Sequence, residues 1–204
     1  MPLIPDTYAE LSSGFSTSST VFTKALETSA LPSGGKYLVI VNANTGNTVT
    51  NRDIDVRVTY NGSTLSGSES SRVPTSNMLK ERYSYFAFFD TSVSTGTVAI
   101  EVKTSISSGV AGVKAATIVC LDLKNLVAGS DYIFEETSIE TENTTSFNTK
   151  ESISIPATKK TNGQWLVLGQ VSMEYGTTGI EHHTRLNYLN SDLQHECIKR
   201  IKEG

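Results

Sequence analysis

Apolar residues in this chain fall in runs of five to nine, separated by clusters of Gly, Ser, Asn and Thr, the pattern of a β-sandwich or barrel. The runs predict strands over 20–27, 36–41, 53–60, 83–89, 97–103, 113–123, 131–136, 147–155, 164–171 and 182–188. In 53–60, Ile54, Val56 and Val58 share one face while Asp53, Asp55, Arg57 and Thr59 share the other, so one side is core and the other is wet. Residues 37–41 are apolar on both faces, as expected of a central strand covered on both sides or lying at a subunit contact. Helical periodicity is confined to 192–203, where Leu193, Cys197, Ile198 and Ile201 form a stripe and Asp192 is placed to cap it. A single turn is also expected within 76–82.

The strand pattern contains a repeat. Gly35-Lys36-Tyr37-Leu38-Val39-Ile40 matches Gly163-Gln164-Trp165-Leu166-Val167-Leu168 at an offset of 128 positions (163 − 35). Without a gap, the same offset sets Arg57 on Arg185, Val58 on Leu186, Tyr60 on Tyr188, Ser63 on Ser191 and Leu65 on Leu193. Upstream, Phe22 to Lys24 resembles Phe147 to Lys150, with a small gap. The expectation is an all-β chain: an antiparallel, jelly-roll-like β-sandwich over 1–129, then a second, incomplete copy over 130–204. Nothing in the second copy answers the runs from 83 to 123, so its apolar face and strand edges would need cover. Three sources are expected: a natural chain continuing past Gly204, strands or a surface from a neighbouring subunit, or a helix over 192–203 folding back.

Composition narrows the function classes. About a quarter of the chain is Ser or Thr, which gives a hydroxyl-rich surface rather than a charged one. Lys and Arg total 17 against 21 Asp and Glu, for a net charge of −4, and a nucleic-acid binder needing a basic stripe is disfavoured. No apolar run approaches the roughly 18 residues of a membrane span. The opening MPLIPDTYAELSSG lacks the basic and apolar regions of a secretory signal, so synthesis in a cytoplasm is expected. Cys120 and Cys197 form no metal or redox spacing, and Cys120 reads as a small core residue.

Candidate chemistry is sparse. His182, His183 and His195 lie near Cys197, but the spacing matches no zinc signature, and adjacent residues of a strand face opposite ways. Asp53 and Asp55 share a face, as a glycosidase pair or a calcium site would, yet Arg57 beside them offers a cross-strand or same-strand ion pair on a solvated surface instead. Tyr60, Tyr83, Tyr85, Tyr175 and Tyr188 are available for a sugar-stacking platform, or equally for core and interface anchors. Patterns for a nucleophile elbow, a dinucleotide fold and a phosphate loop are absent. The sequons at Asn61 and Asn143 matter only on a secretory route. No catalytic, cofactor-binding or metal-binding residue is assigned, no cofactor is expected, and the chain reads as a non-enzyme.

A duplicated Ser/Thr-rich β-domain carrying GKYLVIV (35–41), NGQWLVLGQ (162–170), IPAT (155–158) and DYIFEETS (131–138) resembles virion structural proteins of tailed bacteriophages. The resemblance implies a capsid decoration, tail or fibre component that acts through β-domain interfaces without catalysis. It also implies location in the virion after synthesis in the host cytoplasm. Its partners would be other virion proteins and copies of itself, a trimer among the options, with no nucleic acid and no membrane. A carbohydrate-binding or adhesion module using exposed aromatics, with a host-surface glycan as partner, is the alternative. A glycan-degrading enzyme built on Asp53 and Asp55 ranks third.

Overall fold

The computed structural model describes residues 5–48, 53–72, 81–91, 95–127, 181–188 and 191–200. Among them are twelve strands and no helix: β1 (Pro5–Leu11), β2 (Phe15–Thr17), β3 (Thr23–Glu27), β4 (Lys36–Asn47), β5 (Ile54–Tyr60), β6 (Ser63–Thr64), β7 (Ser70–Arg72), β8 (Glu81–Asp90), β9 (Val98–Thr104), β10 (Ala111–Asp122), β11 (Glu181–Tyr188) and β12 (Ser191–Arg200). The chain divides into two compact units, Met1–Asn125 and Leu126–Gly204.

The first unit is an antiparallel β-sandwich. One sheet, here sheet A, runs β1-β10-β4-β8, with β2 also on β10; the other, sheet B, runs β3-β9-β5-β6, with β7 also on β5. Their inner faces meet in one core. Tyr37, Val39, Val41 and Ala43 of β4 and Tyr83 and Tyr85 of β8 face Ile54, Val56 and Val58 of β5 and Val98, Ile100 and Val102 of β9, all buried. Period-two spacing places these residues inside, because consecutive residues of a strand point to opposite faces.

β10 breaks that rule once. It lies opposite Thr45 at Val113 but opposite Asn44 at Ala115, so Lys114 is an extra, bulged residue. Before it the buried core positions are the odd-numbered Ala111 and Val113; after it they are the even-numbered Ala116, Ile118 and Cys120. The edge strand is interrupted at the same place: β2 pairs 111–113 and β1 pairs 116–121, with Gly14 in the left-handed region (φ 75°) between them.

Buried hydroxyls close the ends of the sandwich. Between β6 and β7 the chain leaves β5, and the Ser68 side chain takes the strand's place: Val58 N–H donates to Ser68 Oγ (3.1 Å), which donates to Val58 O (2.9 Å). Opposite, the Tyr83 hydroxyl donates to Ser68 O (2.5 Å) and the Tyr85 hydroxyl to Ser66 O (2.8 Å), which ties sheet A to the irregular edge of sheet B. At the start of β4, Thr91 Oγ1 accepts from Gly35 N–H (2.9 Å) and lies 2.8 Å from Pro32 O.

In the second unit, β11 and β12 form an antiparallel hairpin in which Tyr188 faces Ser191 and Glu181 faces Arg200. The helix expected over 192–203 is therefore corrected: Ser191–Arg200 is strand. A helix of that length is marginal alone in water, whereas a strand partner satisfies the backbone directly. The ladder is also irregular between Arg185 and Asn187, opposite 193–195, and such a bulge interrupts the alternation that would have marked a strand. Tyr60 faces Ser63 at the same 128-residue offset, and that ladder too is interrupted two pairs from the loop. The strands expected over 131–136, 147–155 and 164–171, and most of the turn expected within 76–82, lie outside the described residues.

Candidate functional site

Sheet B turns a charged face outward. The alternation Val98, Ile100, Val102 sends Glu101 and Lys103 of β9 to that face, and the register sets Glu101 between Lys24 of β3 and Arg57 of β5. Arg57 Nε and Nη2 both reach Glu101 Oε2, at 2.8 and 2.7 Å, and Nη1 donates to Thr64 Oγ1 at 3.2 Å. Two residue pairs along, on the same face, Lys103 Nζ lies 3.4 Å from Asp55. The Phe22 ring faces both cations, with Arg57 Cζ 4.0 Å and Lys103 Nζ 4.6 Å from its centroid.

Beside this network is a shallow depression of about 160 Å³ lined by Lys24, Glu27, Thr59, Asn61, Thr97 and Glu101. Lys24 and the Thr97 hydroxyl both donate to Glu27 Oε1. These hydrogen bonds, Lys24's first, hold the Glu27 carboxyl below its ordinary pKa. The carboxylates of Glu27, Asp55 and Glu101 are thus matched by Lys24, Lys103 and Arg57.

Sheet A turns an apolar face outward. One row runs Tyr8, Val119, Ile40 and Phe86 across four strands; the next runs Leu121, Leu38 and Phe88. Leu38 and Leu121 are buried, Val119, Ile40, Phe86 and Phe88 are half-buried, and Tyr8 is 54% exposed. Polar residues take over in the next row, where Ser84 donates to the Asn42 side chain at 2.9 Å.

The residues singled out in the sequence are dispersed. Asp55 is engaged with Lys103, and Asp53 contributes its backbone carbonyl to the Asn47 side chain (3.1 Å) and to Ser105 N–H (3.4 Å). Arg57, read as one end of a cross-strand or same-strand ion pair, makes the cross-strand one, to Glu101. The signal for Glu101 and Lys103 was present in the alternation of 97–103, but pairing them with residues of β5, four strands earlier in the chain, requires the sheet order. Tyr83 and Tyr85 are core residues, and Tyr60 is half-buried against Phe89, ring centroids 5.0 Å apart, where burial raises its hydroxyl pKa. These three form no exposed platform. His182 and His183 face Lys199 and Ile198 in the hairpin register, Cys197 faces Thr184, and His195 falls in the bulge. Tyr175 and Asn143 lie outside the described residues.

No protein-family model and no curated protein matches the chain. Solved structures give partial likenesses. The VP2 subviral particle of infectious bursal disease virus aligns over 58% of this chain and 33% of its own, at 11% identity and a TM-score of 0.40. A second structure from that virus, of the Gx strain, aligns over 59% and 33%, at 9% identity and 0.43. A family 35 carbohydrate-binding module from Clostridium thermocellum aligns over 55% of this chain and 91% of its own, at 17% identity and 0.29. The chain thus matches about a third of the length of the two viral proteins.

Proposed function

We propose that this chain is a structural subunit of a tailed-phage virion, a capsid decoration, tail or fibre component, that works through its β-sandwich surfaces without catalysis. The observation that carries the structural role is β4, apolar on both sides: Tyr37, Val39 and Val41 fill the core, while Leu38 and Ile40 continue with Phe86, Phe88, Val119 and Leu121 across the outward face. A sheet face of that composition is stable against protein rather than against water. The tailed-phage part rests on the sequence resemblance at 35–41, 131–138, 155–158 and 162–170. Neighbours of the same particle, copies of this chain among them, are the partners that fit, and the second sandwich copy over 130–204 belongs to the same reading.

The test is the state of association. Size-exclusion chromatography with light scattering should show a defined oligomer that Ile40→Glu and Val119→Glu dissociate, and antibody labelling in electron microscopy should find the chain on particles. A wild-type protein that stays monomeric at high concentration and labels no particle would overturn the proposal.

A further inference from the structure

Asn61 and Gly62 form the two-residue loop joining β5 to β6, with Tyr60 facing Ser63 across it. Both have left-handed backbones, φ 52° and 81°, the conformation a tight primed turn requires and an Asn-Gly pair supplies. Both are exposed. Asn61 N–H is held by Thr97 O at 2.9 Å, whereas Gly62 N–H has no acceptor among the described residues. A Cβ built on Gly62 would meet nothing within 4 Å. An accessible, unhindered peptide nitrogen therefore follows directly on a primary side-chain amide.

We propose that Asn61 is a site of spontaneous deamidation. The Gly62 nitrogen attacks Asn61 Cγ, forming an N–Cγ bond; the Cγ–Nδ2 bond breaks, and the amino group takes up the proton lost from Gly62 and leaves as ammonia. Water then opens the five-membered succinimide at either carbonyl, giving aspartate or isoaspartate. Ring closure requires the loop to leave its native conformation, and here that requires little. The loop is held by two ladder pairs, Thr59 with Thr64 and Tyr60 with Ser63, by Leu65 N–H on Val58 O and by Asn61 N–H on Thr97 O, so opening this tip breaks a few edge hydrogen bonds while the two core layers stay together. The product adds a carboxylate to the depression that Glu27 and Glu101 already line, and isoaspartate also adds a backbone carbon to a two-residue loop.

The intact chain would be incubated in mildly alkaline buffer and digested with trypsin. The peptide 58–72 would be followed by mass and by isoaspartate-specific methylation, beside the same peptide incubated free. The folded chain is expected to convert Asn61 within about tenfold of the free-peptide rate, as local opening allows. Asn42, Asn44 and Asn47 within β4 should remain unchanged. A folded chain that keeps Asn61 intact while the free peptide converts, or that converts the β4 asparagines equally fast, would overturn the proposal.

Discussion

The Tyr83 hydroxyl donates to the Ser68 carbonyl from the opposite sheet, and Ser68 in turn satisfies both backbone groups of Val58. Tyr83→Phe should therefore cost about 1–2 kcal/mol, because a buried carbonyl loses its partner. Ser68→Ala should cost about 1–3 kcal/mol through the orphaned Val58 N–H. Urea denaturation should show both as shifted midpoints at unchanged slope.

Gly35 lies under the Tyr37 ring, where an added Cβ would stand 2.5 Å from the ring carbon Cε2. Gly35→Ala should cost about 1–3 kcal/mol by overpacking. In a Tyr37→Leu background the penalty should shrink, and a thermal-melt double-mutant cycle measures that coupling. The same Gly-x-aromatic spacing recurs at Gly163 and Trp165.

Deleting Lys114 removes the bulge and turns Ala116, Ile118 and Cys120 away from the core. Loss of about 2 kcal/mol for each large apolar side chain exposed would abolish cooperative folding. Lys114→Ala, which keeps the extra residue, should stay within about 0.5 kcal/mol of wild type. Solubility and circular dichroism distinguish the two outcomes.

Glu27 has its pKa lowered in the fold, so its contribution to stability is present above its unfolded pKa and is lost as pH falls through the folded value. Denaturation midpoints of wild type and Glu27→Gln should accordingly differ at neutral pH and converge in acid. High salt should narrow the gap as well, since the pair with Lys24 is exposed.

Much of the sandwich was legible. Strands β4, β5, β8 and β9 follow from alternation or from dense apolar runs, because each supplies core side chains at period two. β10 was placed, but its inner face was not, since one bulged lysine reverses the parity and Lys114 looks like any exposed residue. β1, β2, β6 and β7 carry too few apolar residues to announce themselves. The helix expected at 192–203 failed because a four-residue stripe reads the same whether it lies on a helix or on an interrupted strand. At the charged face, Asp55 and Arg57 were found by spacing; their partners depend on β9 lying beside β5, which only the fold reveals.

Cys120 sits fully buried on the inner side of β10, six residues beyond the bulged Lys114. An alkylating reagent reaches it only when the two layers separate, since a sealed thiol cannot react. Its rate of labelling thus counts how often the barrier between the sheets is breached, giving the molecule a native gauge of its own breathing.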